Sequence, residues 1–209
     1  MRRIVFWDVD TQVDFMEPNG KLSVPGATAI KDNLSRLTNS APSYCTLSGS
    51  IDAHTPKDPE FKDWPEHCVY GTPGQRKTPE SATRDILFVP SVKLTARQLS
   101  EVDAYNRQVL FEKQHNDVET NPNTRPFLAK IDPEEVVVYG VATDICVDLA
   151  VKLIAGKLGY RATVALDAIR GIDSNKTKAC IDEWLRLKVS LEKTEQILAK
   201  LKREANKNS

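Results

Sequence analysis

The sequence predicts an α/β domain with an open sheet, and three observations carry that prediction. Short apolar, β-branched runs, of which Val136-Val137-Val138-Tyr139 is the clearest, alternate with stretches of helical periodicity. Continuous apolar runs of this kind suit strands buried on both faces. Acids and a thiol stand just past the ends of several runs, at the edge where open α/β sheets bind ligands. The 209 residues are enough for a full core, and the expected organisation is one domain over 1–209.

Composition narrows the function classes. With 29 basic and 29 acidic side chains the formal net charge is zero, which points to neither a nucleic-acid partner nor a membrane surface. Cysteines at 45, 68, 146 and 180 show no CxxC spacing, so a reducing cytoplasm is the expected setting. Met1-Arg2-Arg3 passes straight into Ile4-Val5-Phe6-Trp7, which reads as a first strand and not as a targeting segment.

Ile4 to Val9 is that strand, and it leads into Asp8-Val9-Asp10-Thr11-Gln12-Val13-Asp14-Phe15. Alternation puts Asp8 and Asp10 on one side. Asp10 is a candidate base and Asp14 a brace for the following loop; the alternative is that all three acids are solvated turn residues. Pro25-Gly26-Ala27 opens a helix to about Asn39, and Tyr44 to Ser48 reads as the second strand. Beyond it Asp52 and His54 sit two apart in an extended segment, so both side chains point the same way and could share a metal.

Residues 56–79 are rich in Pro and Gly with little periodicity, which predicts a long ordered loop of functional use. Its aromatic residues Phe61, Trp64 and Tyr70 argue against disorder. His67 is a third candidate ligand, and an Asp/His/His set suits Zn²⁺, Fe²⁺ or Mn²⁺ with positions left open. Cys68 is expected to pack. Asp85 to Pro90 and Gln108 to Glu112 are further strands around a helix from Thr95 to Asn106, and Lys113 follows the second of them. There a lysine could lower a neighbouring thiol pKa; the alternative is a solvated side chain. His115 reads as a loop residue.

Pro122 to Lys130 is a connecting helix. Val136 to Tyr139 is then a buried strand that Gly140 ends, with Thr143 or Asp144 capping a helix that begins at Cys146. A thiol at a helix N-terminus is favoured as thiolate, and the free N–H groups there can hold an oxyanion. Cys146 is the candidate nucleophile; the alternative is a small buried residue on the inner face of the helix. Tyr160 to Leu166 is the next strand, closed by a turn over Asp167 to Gly171. Ser174 caps a helix to about Leu187, with Cys180 on its inner face. Val189 to Glu192 is an edge strand, and Thr194 caps a last amphipathic helix whose charged end, about 203–209, is expected to fray.

Three separated motifs together resemble the isochorismatase-like cysteine hydrolases, specifically the nicotinamidases. Asp10-x-Gln12-x-Asp14-Phe15, the Lys at 113, and Gly140-Val141-Ala142-Thr143-Asp144-Ile145-Cys146-Val147 look like the family's Asp, Lys and Cys motifs in the family's order. Asp52-x-His54 with Trp64-Pro65-x-His67-Cys68-Val69-x-Gly71-Thr72-x-Gly74 is similar to the nicotinamidase metal-binding signature. The resemblance implies a three-layer α/β/α fold with a six-stranded, mostly parallel sheet, and a catalytic triad of Asp10, Lys113 and Cys146. It implies a cis peptide bond between Val141 and Ala142, with the N–H groups of Ala142 and Cys146 forming the oxyanion hole. The metal ligands would be Asp52, His54 and His67, with Glu60 approaching directly or through water, and the ion Zn²⁺ ahead of Fe²⁺ or Mn²⁺. Phe15 and Trp64 would flank the substrate ring. The implied activity is hydrolysis of nicotinamide to nicotinate and ammonia in NAD salvage, by a homo-oligomer. Ala53, where many nicotinamidases carry Trp, and Gln114, where relatives often have Gly, leave open another small amide or carbamoyl compound.

Overall fold

The computed structural model describes residues 3–42, 44–105 and 107–207. Strands β1 (Ile4–Val9), β2 (Thr46–Asp52), β3 (Ile86–Val89), β4 (Gln108–Lys113), β5 (Glu135–Val141), β6 (Ala162–Arg170) and β7 (Ser190–Glu192) form one sheet in the order β3-β4-β2-β1-β5-β6-β7. Every pairing between neighbours is parallel. The sheet therefore has seven strands where the resemblance implied six. The seventh is the short edge strand β7, which the pattern at Val189 to Glu192 anticipated.

The helices are α1 (Val13–Met16), α2 (Lys31–Ser40), α3 (Ala96–Asp103), α4 (Thr124–Ile131), α5 (Asp148–Val151), α6 (Ser174–Arg186) and α7 (Thr194–Lys207). Two π-helical turns, Thr143–Val147 and Lys152–Lys157, flank α5 and continue it at both ends. A parallel sheet must be covered on both faces, and here it is. Leu34 and Leu37 of α2 with Ile197 and Leu201 of α7 pack over Phe6, Val137 and Tyr139 on one face. Phe127 of α4, Ala150 of α5 and Trp184 of α6 pack over Trp7, Phe111 and Val138 on the other. Trp7 stacks on Phe111 at a ring separation of 5.9 Å, and Phe111 meets Phe127 at 5.0 Å. Aromatic pairs of this kind add roughly 0.5–1.5 kcal/mol beyond the area they bury. Among the described residues no helix is long and apolar enough to cross a membrane.

Several local expectations are corrected. The second strand starts later and runs further than Tyr44 to Ser48, so Asp52 is the last residue of β2. Lys113 is likewise the last residue of β4 and pairs in register with Asp52. Gly140 does not end its strand: it takes φ 119° within β5, where a Cβ would lie 2.1 Å from the Val9 carbonyl oxygen. The β5–β6 register shifts at that point, and β6 continues through Asp167 to Arg170, where a turn was expected. Neither Thr143 nor Asp144 caps the Cys146 helix, which begins at Thr143 from Ala142. Asp144 instead accepts from the Ile172 and Asp173 amides at 2.9 and 2.8 Å, tying that helix to the end of β6. The cap of α6 is Asp173, which accepts from Asn175 and Lys176, and not Ser174. Thr194 is the first residue of α7, with its hydroxyl on Asp167 at 2.7 Å. The third helix stops at Asp103, short of Asn106, which lies outside the described residues. The last helix reaches Lys207, and 208–209 of the expected fraying end lie outside them also.

Candidate active site

Sheet order decides what meets at the carboxyl edge. From β1 the chain steps to β2 on one side and later returns to β5 on the other, so the crevice forms where these strands end. Asp10 follows β1, Asp52 ends β2, Lys113 ends β4, and Cys146 lies in the turn after β5. They line or border one cleft, whose walls include Phe15, Leu22, Val24, Trp64, Asn116, Ile145 and Ile172.

The Lys113 ammonium is fully buried and touches three acidic groups. It lies 2.9 Å from Asp10 Oδ2 and 3.7 Å from Cys146 Sγ, and it hydrogen-bonds Asp52 Oδ1. Burial alone would lower its pKa; Asp10, Asp52 and Cys146 outweigh that and hold it well above the usual lysine range. Asp10 is raised, by burial first and by Asp52, against the pull of Lys113. Its Oδ1 accepts from Ser50 at 2.7 Å, which leaves Oδ2 toward the lysine. The Cys146 thiol is also pushed up, because burial outweighs Lys113 and Asp10 adds to the rise. The sequence had pointed to a depressed thiol; here burial acts the other way and disfavours the thiolate.

Next to this group Asp52 Oδ2 faces two imidazoles, 3.7 Å from His54 Nε2 and 3.6 Å from His67 Nε2. All three residues are buried, and one ligand atom from each falls within a sphere that a single ion could occupy. The donor set is carboxylate and imidazole, which fits Zn²⁺, Fe²⁺ or Mn²⁺. Neither ring nitrogen of His54 nor Glu60 Oε2 has a hydrogen bond, although all three atoms are buried. Buried polar atoms are ordinarily satisfied, so these unpaired donors fit a cation better than they fit a packed core. Phe61 covers the pair, with ring centres 5.2 Å from His54 and 5.7 Å from His67.

The other expected residues fall on both sides of the cleft. Phe15 and Trp64 line it, and Phe15 sits 5.3 Å from the His67 ring. The Val141–Ala142 peptide bond is cis. Asp8, Asp10 and Asp14 are all buried, which removes the solvated alternative. Asp14 is the brace: its carboxylate accepts from Cys68 N at 2.7 Å and Lys21 N at 3.0 Å, and a Cβ on Gly74 would strike it at 2.1 Å. Cys68 is fully buried as expected, and His115 is exposed outside the cleft. Neither Ala53 nor Gln114 lines the cleft; the Gln114 amide donates to the Ala53 carbonyl instead.

Four contributors were missed in the sequence. Ser50 and Asn116 are ordinary polar residues until the fold sets them against Asp10 and the cleft. Gln12 hydrogen-bonds both the N–H and the carbonyl of Asp52, at 2.7 and 2.8 Å, and so fixes that candidate ligand from behind. Asp58 approaches His54 Nδ1. Only Gln12, inside the Asp10 motif, carried a readable signal.

Residues 93–184 match the isochorismatase domain family. The nicotinamidase/pyrazinamidase of Mycobacterium tuberculosis is 28% identical over 202 residues, covering 91% of this chain and 98% of the relative. An isochorismatase-like hydrolase from Alkaliphilus metalliredigens superposes with a TM-score of 0.77 at 17% identity, over 95% of this chain and 99% of the other. The pyrazinamidase of Pyrococcus horikoshii in complex with zinc superposes with a TM-score of 0.72 at 22% identity, over 91% and 99%.

Proposed function

We propose that this isochorismatase-like chain is a metal-dependent cysteine amidohydrolase that converts nicotinamide to nicotinate and ammonia, feeding NAD salvage. The observation that carries the reading is the contact of one buried ammonium, Lys113, with a carboxylate, a thiol and a candidate metal-ligand carboxylate at once, beside a cleft lined by Asp10, Asp52 and Cys146.

Asp10 takes the proton of Cys146 as the sulfur attacks the amide carbon. Lys113 holds the resulting negative charge close, and the N–H groups of Ala142 and Cys146 receive the oxyanion, each worth on the order of 3 kcal/mol in the transition state. Protonated Asp10 then delivers its proton to the departing nitrogen, so that ammonia leaves and a thioester remains. Asp10, again a carboxylate, activates the water that cleaves the thioester and frees the acid. Asp52, His54 and His67, with Glu60, would hold a divalent ion, which would supply Lewis acidity toward the ring of the substrate. Phe15 and Trp64 keep the ring between apolar walls, so the carboxamide is presented to Cys146 in one orientation.

The zinc complex of the Pyrococcus relative and the unpaired buried donors here support the metal assignment. The name of the Mycobacterium relative supports the substrate. The test is ammonia release from nicotinamide and pyrazinamide by purified protein, before and after chelation, with zinc, iron and manganese added back. Activity lost with the metal and restored by one ion is expected. No ammonia from either amide, with folded and metal-loaded protein, would overturn the reading.

A further inference from the structure

His54 stands between acids on both sides. Its Nε2 faces Asp52 at 3.7 Å, and its Nδ1 faces Asp58 Oδ2 at 3.3 Å. His54 is wholly buried, Asp58 is 8% exposed, and no hydrogen bond closes at either ring nitrogen. An imidazole that binds a metal is neutral, so one nitrogen carries the proton while the other ligates. The group that accepts that proton decides which nitrogen is which. For His67 the Pro65 carbonyl oxygen does this, 2.7 Å from Nδ1, and leaves Nε2 toward Asp52. For His54 a carboxylate stands in the corresponding place.

The two oxygens of Asp58 do different work. Oδ1 accepts from Glu60 N at 3.1 Å and caps the short 3-10 turn Pro59–Lys62, which brings in Glu60 and Phe61. Oδ2 is left facing the ring. His54, Asp58 and Glu60 also lie close enough together to resemble a cation site of their own. The ring cannot serve both sides while keeping a proton, and the Asp52 side offers the second imidazole.

We propose that Asp58 is a positioning residue that accepts the Nδ1–H of His54 and thereby turns Nε2 to the metal. This rests on the metal site of the proposed function and adds a residue that touches neither ion nor substrate.

Two variants separate positioning from folding. Asp58→Ser keeps a side-chain oxygen able to cap the turn and removes the one that faces His54. Asp58→Asn keeps a single acceptor, which can serve the turn or the ring but not both. The zinc dissociation constant is measured by competition with a chromophoric chelator, alongside thermal unfolding of the metal-free proteins. Asp58→Ser should bind zinc roughly tenfold or more weakly than wild type while unfolding at the wild-type temperature, and Asp58→Asn should lose either zinc affinity or thermal stability, according to which partner its one oxygen serves. Imidazole nitrogen NMR of zinc-loaded wild type should show His54 metallated at Nε2 and protonated at Nδ1. Wild-type zinc affinity in Asp58→Ser, or metallation of His54 at Nδ1, would overturn the role. A wild-type chain that binds no zinc would overturn the metal site itself, a result distinct from loss in the variants alone.

Discussion

Asp8 on β1 and Asp10 just past its end are both buried, both face a buried lysine, and differ in what that lysine has left to do. Lys77 lies 2.7 Å from Asp8 Oδ2 and donates to Thr11 Oγ1 at 2.6 Å, while Thr11 bonds Asp8 Oδ1 and Ser81. That group is closed, and none of its members lines the cleft. Lys113, by contrast, is shared among Asp10, Asp52 and Cys146. One ammonium cannot fully satisfy three acids, so a proton must be kept within the group. The first pair is a fastener between β1 and the loop; the second is a proton store beside the thiol proposed as the nucleophile.

Breaking the shared group should give the larger effects. Cys146→Ala is expected to lower kcat/KM by on the order of 10⁴-fold or more while leaving zinc content and folding intact; activity near wild type would end the nucleophile assignment. Lys113→Met should cost activity by roughly 10³-fold, and stability by about 3–5 kcal/mol because two buried carboxylates lose their counter-charge. Lys77→Met sharpens the contrast: denaturant unfolding should show a similar loss, about 3–5 kcal/mol, with kcat near wild type in the folded fraction. A collapse of kcat in that variant would mean the two pairs are one network. Smallest is Ser50→Ala, which removes one hydrogen bond from Asp10, an interaction worth about 1.5–3 kcal/mol. It should lower kcat more than it changes KM.

The legible parts of this chain were those where chemistry and local pattern coincide. Asp10, Asp52, His54, His67, Lys113 and Cys146 each stand at or just past a strand end or in the long loop, and period and turn residues revealed those places. What stayed hidden depends on distant segments. Whether Asp173 or Ser174 caps α6 turns on which of two good cap residues takes extended backbone, and the β6 ending decides that. The extension of β6 past Leu166 pairs with Gly140 and Val141 beyond a register shift on its neighbour, invisible from β6 alone. The sequence pointed to a depressed thiol because helix position and a nearby lysine are readable there, whereas the burial that pushes it up is not. Asp58 is four residues from His54, a spacing that means nothing until the loop folds back on the ring.

The Asp14 carboxylate has a mechanical consequence. It grips the amide after His67 with one oxygen and the amide before Leu22 with the other, so the loop that carries His67 and the wall segment at Leu22 share one rivet. Gly74 presses against that rivet without room for a side chain. A displacement of either segment would therefore strain the other. Under the proposed function, adaptation of this cavity to larger or smaller amides would fall on the wall positions Leu22, Val24 and Ile172, since shifts of the backbone would move the proposed ligand His67.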